Sequence, residues 1–174
     1  MAEPLARSEL LVWIFYGMFV FRDRWCDAGG SDEARRASRQ TVVGASTYHV
    51  VAQAMSHRAR LTVRVWPGPA PPEPGWDGTH EMELHCPTGE MVADEITGGS
   101  PGVIDLGEPG VYGLRASWRG REVAHEETLT VIGEAEAVER TWGKEQFLFD
   151  MWRSGPLPPD DDDEEFEEEL AHWR

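Results

Sequence analysis

Cysteine and lysine are scarce in this chain, and no apolar run is long. Cys26 and Cys86 are the only cysteines among 174 residues. A small secreted scaffold would be denser in disulfides, so two reduced, partly buried thiols are expected. Lys144 is the only lysine, and the other basic side chains are arginines, a bias that points to a GC-rich coding sequence rather than to a function. The longest apolar stretch, residues 10–21, falls short of the about 20 residues that cross a bilayer as a helix. Its flanks are wrong for a secretory signal, because Glu3 and Glu9 precede it and no small-residue cleavage site follows before Arg22 and Arg24. A cytoplasmic protein without a membrane span is expected.

Catalytic and metal signatures are missing as well. No C-x-x-C, H-x-x-x-H or H-E-x-x-H spacing occurs. His80 and His85 stand five apart on an expected strand and so point to opposite faces, while the adjacent His85 and Cys86 also diverge. No G-x-S-x-G is present, and although Arg22 and Arg24 beside Cys26 would favour its thiolate, Cys26 reads as an incidental cysteine beside a loop. Gly29, Gly30 and Ser31, like Gly98, Gly99 and Ser100, form turns without the Lys-Ser/Thr of a phosphate loop. Glu81 and Glu83 share a strand face, but no second, differently buried carboxylate suggests a division into acid and base. No catalytic residue, metal site or cofactor is expected, and the function class is binding.

What the sequence does have is negative charge. Thirty-two carboxylates face sixteen cations, for a net charge of −16. Residues 160–174 hold nine of the carboxylates and one arginine, so −8 sits in this tail and −8 in the rest. Nucleic acid and anionic lipid would repel such a chain, unless its arginines gather on one face, whereas basic proteins would attract it. The expected partner is a basic protein, with no direct nucleic acid and no membrane.

Between these bounds the chain reads as short strands. Residues 10–21 are β-branched and aromatic on both faces, as in one strand covered from both sides. Residues 26–40 lose apolar content and read as an exposed loop with one short helical turn. Residues 41–54 return to β-like content. Leu61, Val63 and Val65 alternate with polar neighbours, a half-buried strand that ends at the Pro-rich connection of residues 67–75. Met82, Leu84 and Cys86 alternate inward on the next strand, and Pro87, Thr88 and Gly89 read as a tight hairpin turn into residues 91–96. Leu106, Gly110, Tyr112, Leu114 and Ala116 have the spacing of a tyrosine corner, in which the tyrosine hydroxyl bonds the backbone upstream. A tight turn at 119–121 then leads to a strand at 127–131, and residues 139–152 fit either an edge strand or a terminal helix. The expected fold is all-β: an immunoglobulin-like, Greek-key β-sandwich of about seven to nine strands over residues 1–154. Residues 155–174 would be a Pro-rich linker and a disordered acidic tail.

Several of these segments recur in order in a known group. They are Trp13 to Val20; Leu61 to Val65; the Pro-rich loop closing on Trp76; Glu81 to Glu83; Gly110 to Arg115 with the turn at Arg119 and Arg121; and Glu145 to Trp152. Over residues 10–152 the chain resembles the competence protein J family, intracellular inhibitors of a DNA-uptake nuclease, and related uncharacterised actinobacterial proteins. The resemblance implies a non-enzymatic acidic β protein that holds a nuclease or toxin in check. The polyacidic end departs from it, so no partner-contacting residue is carried over.

That end supplies the candidate partner-binding residues: Asp160, Asp161, Asp162, Asp163, Glu164, Glu165, Phe166, Glu167, Glu168, Glu169, Leu170 and Trp173. Like charges three and four apart oppose an isolated helix. Phe166, Leu170 and Trp173 nevertheless fall at i, i+4 and i+7, one helical face. A basic groove that neutralised the carboxylates would let this segment fold onto it. The alternatives are an inhibitor or immunity-type protein, a structural or adaptor component of a bacterial assembly that uses the tail as a docking peptide, and an enzyme or small-ligand binder whose site no motif reveals; the tail itself reads as either a docking peptide or a solubilising end.

Overall fold

The computed structural model describes residues 3–27, 30–94, 102–131 and 133–159. Two five-stranded sheets face each other. The first has the order β1-β5-β10-β9-β6, from β1 (Ala6–Trp13), β5 (Arg58–Trp66), β6 (Gly78–Cys86), β9 (Gly110–Arg119) and β10 (Gln146–Gly155). The second has the order β3-β4-β2-β7-β8, from β2 (Met18–Asp23), β3 (Val43–Ala45), β4 (His49–Gln53), β7 (Glu90–Asp94) and β8 (Val103–Asp105). β5 and β10 run parallel, and the other pairs are antiparallel. Phe19 and Phe21 of one sheet meet Phe147 and Phe149 of the other, with the rings of Phe19 and Phe147 edge to face at 5.2 Å. Leu61, Val63, Leu84, Leu114 and Met151 complete this core.

The protein is thus a mainly β, two-sheet sandwich, with ten strands and three helices among the described residues. The strand count exceeds the expected seven to nine because two segments divide. Residues 10–21 are not one strand. β1 and β2 belong to different sheets, and the chain passes between them through Tyr16 (φ 53°) and Gly17 (φ 72°). Residues 41–54 likewise supply both β3 and β4.

Three further expectations change. The loop at 26–40 contains a full helix, α1 (Asp32–Thr41), whose Ala34 packs on Val20 and Val51 on the outer face of the second sheet. A Cβ on Gly44 would lie 2.4 Å from the Ser38 nitrogen, so glycine is what lets α1 come so close. The strand expected at 127–131 is replaced by α2 (Arg121–Leu129), which presents mainly Ala124 to the core, so β-branched propensity near its end is overridden. It begins after Gly120 (φ 74°), where a Cβ would collide with the Lys144 carbonyl. The ambiguous stretch at 139–152 resolves into the end of α3 (Glu134–Thr141) and most of β10. Pro87 to Gly89 is not a hairpin turn either: β6 pairs with β9 and β7 with β2 and β8, so this corner carries the chain from one sheet to the other.

The tyrosine corner is present. The buried Tyr112 hydroxyl donates toward the Glu108 carbonyl at 2.5 Å and the Leu106 carbonyl at 3.3 Å. Leu84 and Cys86 are buried in the core as their alternation predicts, with Met82 packed against it.

Candidate partner-binding site

On the outer face of the first sheet the register sets Arg7, Arg64, Asp150, Arg115 and Glu81 in one row across five strands. Arginines do gather on this face, but carboxylates interleave them. Arg64 reaches Asp150 at 2.6 Å and Glu73 at 2.7 Å, and Arg115 reaches Glu81 at 2.7 Å. The Trp66 indole also donates to Asp150, at 2.7 Å. This face is a cross-strand charge ladder, not the unbroken basic surface that would favour a phosphate backbone. The Pro-rich loop walls a cleft of about 480 Å³ beside it, lined by Trp76, Thr79, Arg115 and Ser117.

One end of the sandwich is organised by Glu145, which is fully buried. Its carboxylate accepts the backbone N–H groups of Met55, at 3.0 Å, and Ser56, at 2.8 Å, together with the Ser56 hydroxyl. Arg121 of α2 stands 3.6 Å away and also donates to the Gln53 carbonyl. Burial pushes the Glu145 carboxyl above its ordinary range despite these donors. Nearby, the Arg58 guanidinium lies between the Trp13 and Trp142 rings, 4.2 Å from each. These contacts tie α2, the β4–β5 turn and the start of β10 into one rigid end.

The opposite end is organised by Asp23, the last residue of β2 and also fully buried. Its Oδ1 accepts the Trp25 N–H at 2.9 Å. Its Oδ2 accepts the Thr88 N–H at 3.0 Å, the Thr88 hydroxyl at 2.8 Å and the Cys86 thiol at 3.1 Å. Arg22 holds the same turn from the other side: its guanidinium donates to the carbonyls of Asp23, Arg24 and Cys26 while pairing with Asp94. The clamped turn presents Trp25 to solvent at 84% exposure. Beside it runs a groove of about 430 Å³ lined by Trp25, Cys26, Tyr48, His85 and Pro87, and by Leu157, Pro158 and Pro159 after β10.

The candidate residues Asp160 to Glu169, Leu170 and Trp173 lie outside the described residues. Pro159, the last described residue before them, lines the Trp25 groove. Burial and the Asp23 carboxylate push the Cys26 thiol up, outweighing Arg22, so the neighbouring arginines do not activate it. Cys86 is pushed up further by burial and Asp23. His80 and His85 both sit on β6 at opposite parity, and among the described residues no group of three or more His, Cys, Asp or Glu side chains is placed to hold a metal ion. No helix among the described residues is long and apolar enough to cross a membrane. The Asp23–Trp25 arrangement was missed in the sequence. Its one local signal is a tryptophan within the polar run from Arg22 to Asp27.

No described protein family and no curated protein matches the chain. Two solved structures share its fold. One is ComJ, inhibitor of the DNA degrading activity of NucA, from Bacillus subtilis: TM-score 0.59 at 14% identity, covering 88% of this chain and 98% of that one. The other is described as crocagin biosynthetic gene J: TM-score 0.53 at 17% identity, covering 86% of this chain and 99% of that one. The resemblance read from the order of segments along the chain therefore holds at the level of fold.

Proposed function

We propose that this chain is a non-enzymatic, cytoplasmic inhibitor or immunity-type protein that binds a basic nuclease or toxin. The observation that carries the reading is the fold shared with ComJ, a nuclease inhibitor, over 88% of this chain. The net charge of −16 supports it, because an acidic surface speeds association with a cationic partner and opposes direct contact with DNA. Residues 160–173 belong to the proposed interface: nine carboxylates imitate a phosphate backbone, and Phe166, Leu170 and Trp173 supply apolar anchors. Immobilised full-length chain, exposed to native cytoplasm at low salt and eluted with a salt step, should release a net-basic nuclease or toxin identifiable by mass spectrometry. A salt-stable complex with an acidic or neutral protein would contradict this reading.

The second reading is a structural or adaptor component of an assembly. It is supported by the neighbour described by a biosynthetic gene, whose fold coverage is nearly as complete. Recovery of assembly or biosynthetic components in the same eluate would favour it.

A further inference from the structure

The Pro-rich loop between β5 and β6 is held down along its length. Five of residues 67–74 are prolines, each of which fixes its backbone. The Arg115 guanidinium donates to the Ala70 carbonyl at 2.6 Å, Arg64 pairs with Glu73 at 2.7 Å, and Asp77 accepts the Gly120 N–H at 2.8 Å. The cleft of about 480 Å³ beside this loop is therefore preformed, with Pro72, Pro74 and Trp76 as its apolar walls.

Charge sets the occupant. Glu73, Asp77, Glu81 and Asp150 line the cleft, against Arg115 and the neighbouring Arg64. Each arginine engages one oxygen of its exposed glutamate: Arg64 bonds Glu73 Oε2, and Arg115 bonds Glu81 Oε1. Glu73 Oε1, Glu81 Oε2 and Asp77 Oδ1 have no hydrogen-bond partner among the described residues. No group of three carboxylates among those residues is placed to hold a metal ion. Three separated acceptors beside an apolar wall suit a cation with several donors on a hydrocarbon stem, and that is arginine. Arg119, 4.5 Å from the centre of the Trp76 ring, already uses this indole as a guanidinium platform. The Trp76 indole N–H is shielded from solvent without an acceptor among the described residues, and the carbonyl of an incoming segment would supply one.

We propose that this cleft receives an arginine side chain of the basic protein partner, its stem along Pro72, Pro74 and Trp76 and its guanidinium on Glu73, Asp77 and Glu81. The inference rests on the inhibitor reading for the identity of the partner, and it places one contact on the sandwich itself.

The test has two arms, both on full-length chain. In the first, N-acetyl-arginine-methylamide is titrated into labelled protein and the Trp76 indole N–H resonance is followed, assigned by its loss in Trp76→Phe. It should shift with half-saturation near ~5 mM, the affinity of a single anchored side chain. Glu73→Gln with Glu81→Gln should weaken this about tenfold, whereas Glu126→Gln with Glu139→Gln, an equal charge loss on α2 and α3, should change it less than about threefold. Both double variants should keep the wild-type melting temperature, because exposed ion pairs contribute little stability. No shift, or an equal shift with N-acetyl-lysine-methylamide, overturns the arginine site. The second arm reads plasmid breakdown in a DNA-degrading native-cell extract. The cleft variant should raise the half-inhibitory concentration about tenfold and the helix variant less than about threefold. Equal inhibition by the cleft variant and wild type overturns the contact and leaves the inhibitor reading standing. Failure of the wild-type chain to slow DNA breakdown overturns the inhibitor reading and the partner contact together, while the first arm still decides the guanidinium site.

Discussion

The carboxylate of Asp23, fully buried, accepts the backbone N–H of Trp25 at 2.9 Å, so a core charge holds the most exposed of the large apolar side chains among the described residues. The same carboxylate ties the β6–β7 corner through Thr88 and Cys86. Asp23→Ala leaves two backbone N–H groups and a hydroxyl without their acceptor and should cost about 3 kcal/mol of stability. The denaturant midpoint measures it, and a loss below about 1 kcal/mol would show that the carboxylate is not the tie described.

Alkali should destabilise the protein in two stages. Cys86 is raised from 9.0, and Tyr112 from 10.0 to about 12, each chiefly by burial. The folded chain holds these protons where the unfolded chain releases them. Their contribution to stability is therefore complete below pH 9.0 and is lost as pH rises through the folded-state values. Tyr112→Phe should lose about 1 kcal/mol at neutral pH, with its hydrogen bonds to the corner, and should show a shallower decline above pH 10.0. Parallel stability curves for the two proteins above that pH would contradict the assignment.

Glu145 makes the opposite kind of pH statement from an ordinary surface carboxylate. Its folded pKa is raised above 4.5, so its favourable contribution is full below that pH and is lost as pH rises through the folded value. Glu145→Gln should accordingly compare best with wild type near neutrality and worse as the solution is acidified toward pH 4.5. Glu145→Ala, which strands Arg121 and the N–H groups of Met55 and Ser56, should cost about 3 kcal/mol. Urea titrations at several pH values read both effects.

Thiol labelling separates the cysteines. Cys86 is fully buried and Cys26 partly exposed, yet both thiols are pushed upward. Native protein at pH 8 should take up one equivalent of iodoacetamide slowly, at Cys26, and the second only on unfolding. Rapid reaction at Cys26 would indicate an activated thiolate and reopen a catalytic role for it.

The parts of the fold legible in the sequence were those whose cause is local. Tyr112 closes its corner over six residues of chain, and the alternation of Leu84 and Cys86 needs only the two-residue period of a strand. Choices of partner were not legible. Pro87 to Gly89 has the residues of a hairpin turn, yet the strands it joins pair elsewhere, a decision made by β9 and β2 far along the chain. The break between β1 and β2 was masked because Tyr16, apolar and aromatic, takes a positive φ that its residue type does not signal. Residues 127–131 look β-like by composition, but α2 is set by the reversal at Gly120 and by Ala124 facing the core. Of the candidate interface, the acidic charge could be read directly. The exposure of Trp25 could not, because it depends on Asp23 being buried under a corner contributed by residues more than sixty positions away.

The proposed restraint of a basic nuclease by this acidic chain is tested most directly by the salt dependence of inhibition. Full-length chain titrated into a DNA-degrading native-cell extract should suppress plasmid breakdown. Its half-inhibitory concentration should rise at least about tenfold between 50 and 200 mM salt, as screening weakens the charge complementarity. No suppression at any concentration, or suppression indifferent to salt, would contradict the account.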